Sequence, residues 1–180
     1  MSSQSKVILN SKQLQLTIER LSFEIIENFK NFNNIVVIGM QPRGVSLAKK
    51  IHAILEHHAK DNIKIGYLDT TFFRDDFRRR EDVIIPHQTS IEFSLEKSNV
   101  ILVDDVLFTG RSTRSALDAL VSFGRPDSVE LLVLIDRRFS RELPIQPKYI
   151  GKSIDVIDNE YVVVNLAEGN SNVVLLNKKR

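Results

Sequence analysis

Four consecutive aliphatic residues, Val100-Ile101-Leu102-Val103, run into Asp104-Asp105 and then into the loop Thr109-Gly110-Arg111-Ser112-Thr113. No other stretch constrains the fold as much. An apolar run without polar alternation is a strand buried on both faces, as in a parallel sheet covered by helices. The two acids are expected to end that strand. Beyond the loop, Ala116, Leu117 and Leu120 share one face of a helix. Strand, polar loop and helix in this order put the loop at the carboxyl end of a sheet strand, where open α/β folds bind ligands. Hydroxyls and free backbone N–H groups at a helix start suit a phosphate. The adjacent carboxylates would repel that phosphate, so they are better placed for the hydroxyls of a sugar attached to it. The stretch reads as a sugar-phosphate site. Thr-Gly-x-Ser alone would read as a buried strand and a helix capped by Ser112.

The same grammar recurs along the chain. After a short polar leader, Asn10 or Ser11 can cap a helix whose Leu14, Ile18, Leu21, Ile25 and Phe29 keep the 3.6-residue period to about Lys30. Ile35 to Ile38 is a short buried strand leading through Gly39-Met40-Gln41-Pro42-Arg43-Gly44 into a helix bearing Val45, Leu47, Ala48, Ile51 and Ile54. This second loop pairs backbone freedom with a forked cationic donor, Arg43, suited to phosphate oxygens. Strands are expected at Ile63–Tyr67, Val129–Ile135 and Tyr161–Val164, with an edge strand at Val173–Leu176. Gly124-Arg125-Pro126 ends the helix after the central motif. These units predict an α/β fold, a Rossmann-like parallel sheet flanked by helices with a small hood, in one domain over residues 1–180.

Composition removes several chemistries. The 180 residues contain no cysteine, which excludes disulfides, thiolate catalysis and cysteine metal sites. No apolar run nears the roughly 20 residues of a membrane helix, and no apolar segment behind Met1–Lys6 resembles a secretory signal, so a cytoplasmic protein without a membrane partner is expected. A net charge of +2 does not by itself announce nucleic acid. His52, His57, His58 and His87 lack companion acids at metal-binding spacing and read as surface residues.

The central motif resembles the phosphoribosyl-pyrophosphate (PRPP) motif of type I phosphoribosyltransferases. Phe72-Phe73-Arg74-Asp75-Asp76, Asp104 through Arg111, Gly124-Arg125-Pro126 and Arg141-Glu142-Leu143-Pro144 narrow the resemblance to the pyrimidine operon regulators that also act as uracil phosphoribosyltransferases. The likeness implies formation of UMP and pyrophosphate from uracil and PRPP, with Mg²⁺ as cofactor. It also implies roles. Asp104 and Asp105 would grip the ribose, and hold the metal only indirectly through PRPP. Val106, Leu107, Phe108, Thr109, Gly110, Arg111, Ser112 and Thr113 would complete the PRPP loop. Gln41, Pro42, Arg43, Gly44 and Arg74 would bind pyrophosphate, and Phe108, Arg137 and Ile150 the base. Asp104, Asp105 and Arg43 would carry catalysis.

A lid is expected at about 74–92, where four Arg in Arg74–Asp82 face four acids. A hood is expected from about 137–160 plus N-terminal residues. In the 6-oxopurine relatives an acid precedes Thr-Gly and handles a ring proton. Here Phe108 stands there and cannot accept one, which favours a pyrimidine. Relatives that attenuate transcription bind a leader mRNA through a basic first helix. Lys12, Arg20 and Lys30 are offset here by Glu19, Glu24 and Glu27. The excess of five bases over one acid between Arg137 and Lys152 is the other candidate patch. The expectation is a competent enzyme with weakened or absent RNA binding, assembled at least as a homodimer.

Overall fold

The computed structural model describes residues 5–29, 31–59, 62–73, 88–156, 160–167 and 171–177. Helix α1 (Ser11–Asn28) starts on a reciprocal cap: the Gln13 N–H donates to the Asn10 side chain at 2.9 Å, and the Asn10 N–H donates to the Gln13 side chain at 3.1 Å. Its Leu14, Ile18, Leu21 and Ile25 are buried along one stripe. Helix α2 (Gly44–Ala59) buries Leu47, Ala48, Ile51 and Leu55 in the same layer.

Both helices cover one face of a five-stranded parallel sheet. Its strands are β2 (Ile35–Met40), β3 (Lys64–Leu68), β4 (Asn99–Leu107), β5 (Ser128–Arg138) and β6 (Tyr149–Asp155), in the order β3-β2-β4-β5-β6. Helix α3 (Arg111–Leu120) covers the other face, with Ala116, Ala119 and Leu120 against Val100, Leu102 and Val133. Two apolar layers on one sheet explain why β2 is buried at all six positions.

Several expectations need correction. Asp104 and Asp105 do not end β4, because the ladder to β5 continues through Asp104↔Val133, Val106↔Ile135 and Leu107↔Asp136. Backbone pairing outlasts the apolar run, since one carboxylate side chain can face the cleft while its main chain stays in the sheet. Helix α3 starts at Arg111 with Gly110 as N-cap, so Ser112 is not a cap, and Leu117 is exposed. The hood is also built differently. Strands β1 (Ser5–Leu9), β8 (Asn172–Asn177) and β7 (Glu160–Asn165) form an antiparallel sheet in the order β1-β8-β7. Val173–Leu176 is therefore its middle strand and not an edge. Residues 137–138 and 149–155 belong to the parallel sheet, so only the chain ends and β7 make the hood. Of the expected lid, residues 74–87 lie outside the described residues. The described return, Gln88 to Ser90, is tied down: Gln41 donates to the Gln88 carbonyl at 2.5 Å, and Ser90 bridges Tyr67.

Candidate active site

In the order β3-β2-β4-β5-β6 the chain leaves β2 toward one side of the sheet and β4 toward the other. The loops after β2 and β4 diverge, and a crevice opens between them. A cleft of about 830 Å³ lies there. Its lining joins Met40 to Arg43 from the end of β2 with Asp104, Asp105, Val106 and Phe108 from the end of β4. Ser112 from the start of α3, Thr70 beyond β3 and Arg137 from β5 close the sides, and Tyr161 and Val162 reach in from hood strand β7.

Glycine sets the closeness of the two walls. A Cβ on Gly44 would lie 2.3 Å from the Val103 carbonyl oxygen, so only glycine lets the start of α2 rest on β4. The loop ahead of it, with a cis peptide between Gln41 and Pro42, brings Arg43 alongside the acids. Burial raises the Asp104 carboxyl well above the ordinary carboxylate range, and the neighbouring Asp105 adds to this. Burial raises Asp105 too, and there Arg43 is the largest opposing influence. Each carboxylate accepts one backbone N–H, Asp104 from Asp105 at 2.9 Å and Asp105 from Val106 at 2.8 Å. Two adjacent buried acids with Arg43 beside them make a site that favours added positive charge or hydroxyl donors.

The Phe108 ring is 46% exposed, and the Arg137 guanidinium carbon lies 4.0 Å from its centroid. Arg137 is buried, which lowers its pKa, while Glu160 opposes the shift. Among the described residues its Nε has no hydrogen-bond partner.

The loop of residues 108–110 joins β4 to α3. Gly110 has φ +92°, a left-handed conformation that L side chains rarely adopt, and no side chain caps the first turn of α3. The Arg111 N–H donates to the Thr109 hydroxyl oxygen at 3.4 Å, and the Ser112 and Thr113 amides have no partner within the helix and suit an anion.

Most sequence-derived site residues thus meet at one place: Gln41, Pro42, Arg43, Asp104, Asp105, Val106, Phe108, Ser112 and Arg137 line a common cleft. Gly44 and Gly110 shape it through the backbone. Leu107 and Thr113 are buried, and Arg111 pairs with Glu142 at 2.7 Å. Ile150 does not line the cleft. It pairs with Val133 in the sheet, and its carbonyl accepts from Arg20 at 2.8 Å. Arg74 lies outside the described residues. Met40, Thr70, Tyr161 and Val162 were not anticipated. The strand-end positions of Met40 and Thr70 were the available signal. Nothing local placed β7 over the cleft.

Comparison with known proteins agrees with this geometry. Residues 4–168 match the phosphoribosyl transferase domain family. The chain is 44% identical over 164 residues to the bifunctional protein PyrR of Streptococcus equi subsp. zooepidemicus, covering 91% of each chain. It is 41% identical to that of Streptococcus mutans, covering 97% of each, and 38% identical to that of Clostridium novyi, covering 90% of each. Among solved structures, the hypoxanthine phosphoribosyltransferase of Trypanosoma cruzi superposes with a TM-score of 0.73 at 16% identity over 97% of each chain. That of Staphylococcus aureus superposes with a TM-score of 0.71 at 19% identity, over 97% of this chain and 92% of that one. At such identities these two establish the fold. By family match and relatives together, the chain belongs to the phosphoribosyltransferase family and, within it, to the bifunctional PyrR proteins.

Proposed function

We propose that this chain is a uracil phosphoribosyltransferase of the pyrimidine operon regulator type. It joins N1 of uracil to C1 of PRPP, breaks the C1–oxygen bond to pyrophosphate, and releases UMP, pyrophosphate and the N1 proton. The observation that carries this reading is the meeting of Asp104-Asp105, Arg43 and the uncapped α3 start around one cleft.

As the C1–oxygen bond breaks, positive charge grows on the ribose and negative charge on the leaving group. Asp104 and Asp105 stabilise the first and hold the ribose hydroxyls, while Arg43 with Gln41 receives the second. The loop from Thr109 to Thr113 holds the 5′-phosphate. The Phe108 ring is the platform for the base, with Arg137 stacked on it and Tyr161 and Val162 lining the same cleft. Phe108 takes no proton from the base. Uracil, whose ring N–H is already fairly acidic, can release its own to water or a pyrophosphate oxygen.

Mg²⁺ fits these residues as a guest of the substrate. Two carboxylates stand together, and no group of three or more His, Cys, Asp or Glu that could hold a metal occurs among the described residues. That set suits a cation completing its shell with substrate oxygens. Asp104 and Asp105 would hold Mg²⁺ indirectly, through PRPP, and the ion would supply positive charge to the leaving pyrophosphate.

The test offers purified protein PRPP and Mg²⁺ with uracil, hypoxanthine, guanine or orotate. UMP and pyrophosphate are expected from uracil alone, and lost on chelation. Turnover of a purine in preference to uracil would refute the base assignment.

Leader-mRNA binding is proposed to be weak. No described helix is long and apolar enough to cross a membrane, and cytoplasmic location belongs to the same proposal. The basic residues after β5 have internal partners: Arg138 with Asp155, Arg141 with Asp136, Lys148 with Glu130, and Lys152 with the Ile8 carbonyl. Tight, salt-sensitive, UMP-dependent retention of the leader of its own pyrimidine genes would overturn this part. Light scattering after gel filtration reads the proposed homo-oligomer, at least a dimer.

A further inference from the structure

We infer that Arg141 and the backbone of Glu142 and Leu143 form a clamp that orients the phosphate loop, with Arg141 as a positioning residue for the 5′-phosphate. This rests on the phosphoribosyltransferase reading. The Arg141 guanidinium donates to the Phe108 carbonyl with one nitrogen and to Asp136 with another. Asp136 is buried at the end of β5, so the fork ties the loop after β4 to the neighbouring strand. The next two amides continue the pattern. The Glu142 and Leu143 N–H groups donate to the Thr109 carbonyl at 3.0 and 3.3 Å.

A trans peptide is planar, and its C=O and N–H point in opposite directions. Drawing the Phe108 carbonyl toward Arg141 therefore turns the Thr109 N–H the other way. Drawing the Thr109 carbonyl toward Glu142 and Leu143 does the same for the Gly110 N–H. These two donors then join the uncapped N–H groups at the start of α3. Side chains back the arrangement: a Cβ on Gly110 would lie 3.3 Å from Ile145 and 3.5 Å from Leu143, and Glu142 holds Arg111 at 2.7 Å. The clamp holds main-chain carbonyls of the loop and not the Phe108 ring, so its effect falls first on ligands that carry the 5′-phosphate.

Calorimetric titration of UMP, uridine and inorganic pyrophosphate into wild-type and Arg141→Ala protein tests this. The variant should bind UMP about 10- to 100-fold more weakly, the loss of a charged hydrogen-bonding anchor, with uridine and pyrophosphate unchanged. Millimolar guanidinium should restore part of the UMP affinity. Arg138→Ala, which removes the exposed pair with Asp155 and a stack on Phe139, should leave all three ligands as in wild type. UMP affinity within about threefold of wild type, or equal weakening of all three ligands, overturns the clamp. Should the alanine variant not fold, Arg141→Lys carries the test. It cannot span Phe108 and Asp136 as a fork, and full UMP affinity in it overturns the inference. Wild-type protein that binds neither UMP nor PRPP would refute the phosphoribosyltransferase reading itself, and the clamp with it.

Discussion

Replacing Asp104 by Asn should make the ligand-free protein more stable while removing its activity. The Asp104 carboxyl titrates well above its ordinary value of 3.8, chiefly through burial and secondarily through Asp105. The folded state thus binds this proton more tightly than the unfolded state does. Stability is highest below the ordinary value and falls as pH rises from there through the folded pKa. At any pH above the ordinary value the folded chain bears a cost that the unfolded chain does not, either of that charge or of taking up a proton. Asparagine removes the charge and keeps the oxygen that accepts the Asp105 N–H at 2.9 Å.

Because Asp104 also faces the open cleft, the gain is set at the low end of the cost of an under-partnered buried group, about 1–2 kcal/mol. For a chain of this length that is a rise in Tm of about 2–8 °C. Differential scanning calorimetry without ligand near neutral pH measures it, and repetition in acid supplies the control. The gain should shrink as pH falls toward the ordinary aspartate range, where the wild-type carboxyl is itself protonated. A variant melting at or below wild type at neutral pH, or equally stabilised in acid, would refute the reasoning. Sites that hold like charges together commonly cost stability for the sake of function.

Asp105→Asn and Arg43→Ala should each lower turnover by ~10²–10³, the range for lost transition-state stabilisers; wild-type rates in an initial-velocity assay would remove that residue from the site. Gly44→Ala places a Cβ 2.3 Å from the Val103 oxygen. It should destabilise by about 1–3 kcal/mol, and an unchanged melting temperature would deny the close approach of α2 to β4. Phe108→Ala removes the platform facing Arg137 and should raise the KM for uracil about 5- to 100-fold with little effect on that for PRPP; equal effects on both would assign Phe108 to the loop and not to the base.

Local chemistry made much of this protein readable from the chain alone. The run Val100–Val103 announces a doubly buried strand because no side chain in it could face water. Asp104-Asp105 and the Thr109–Thr113 loop announce a sugar-phosphate site because each residue's chemistry is complete within a few positions. The capping pair Asn10 and Gln13 and the stripe Leu14, Ile18, Leu21, Ile25 fix α1 in the same way.

Distance in sequence hid the rest. Strand β1 is only five residues long, and its partner β8 lies at the other end of the chain, so its pairing has no local signature. The place of β6 in the parallel sheet depends on β5, and its local sequence does not display that. The continuation of β4 through its acids likewise follows from the ladder to β5 and not from apolar pattern. Tyr161 and Val162 reach the cleft only because the two chain ends pair into a sheet beside it. Arg141 reaches both Phe108 and Asp136 only because the ends of β4 and β5 lie side by side. Composition and periodicity act over a few residues and made α1, α2 and the buried strands β2, β4 and β5 readable. Strand order, the walls of the cleft and the supports behind its loops arise from long-range pairing, which only the tertiary structure decides.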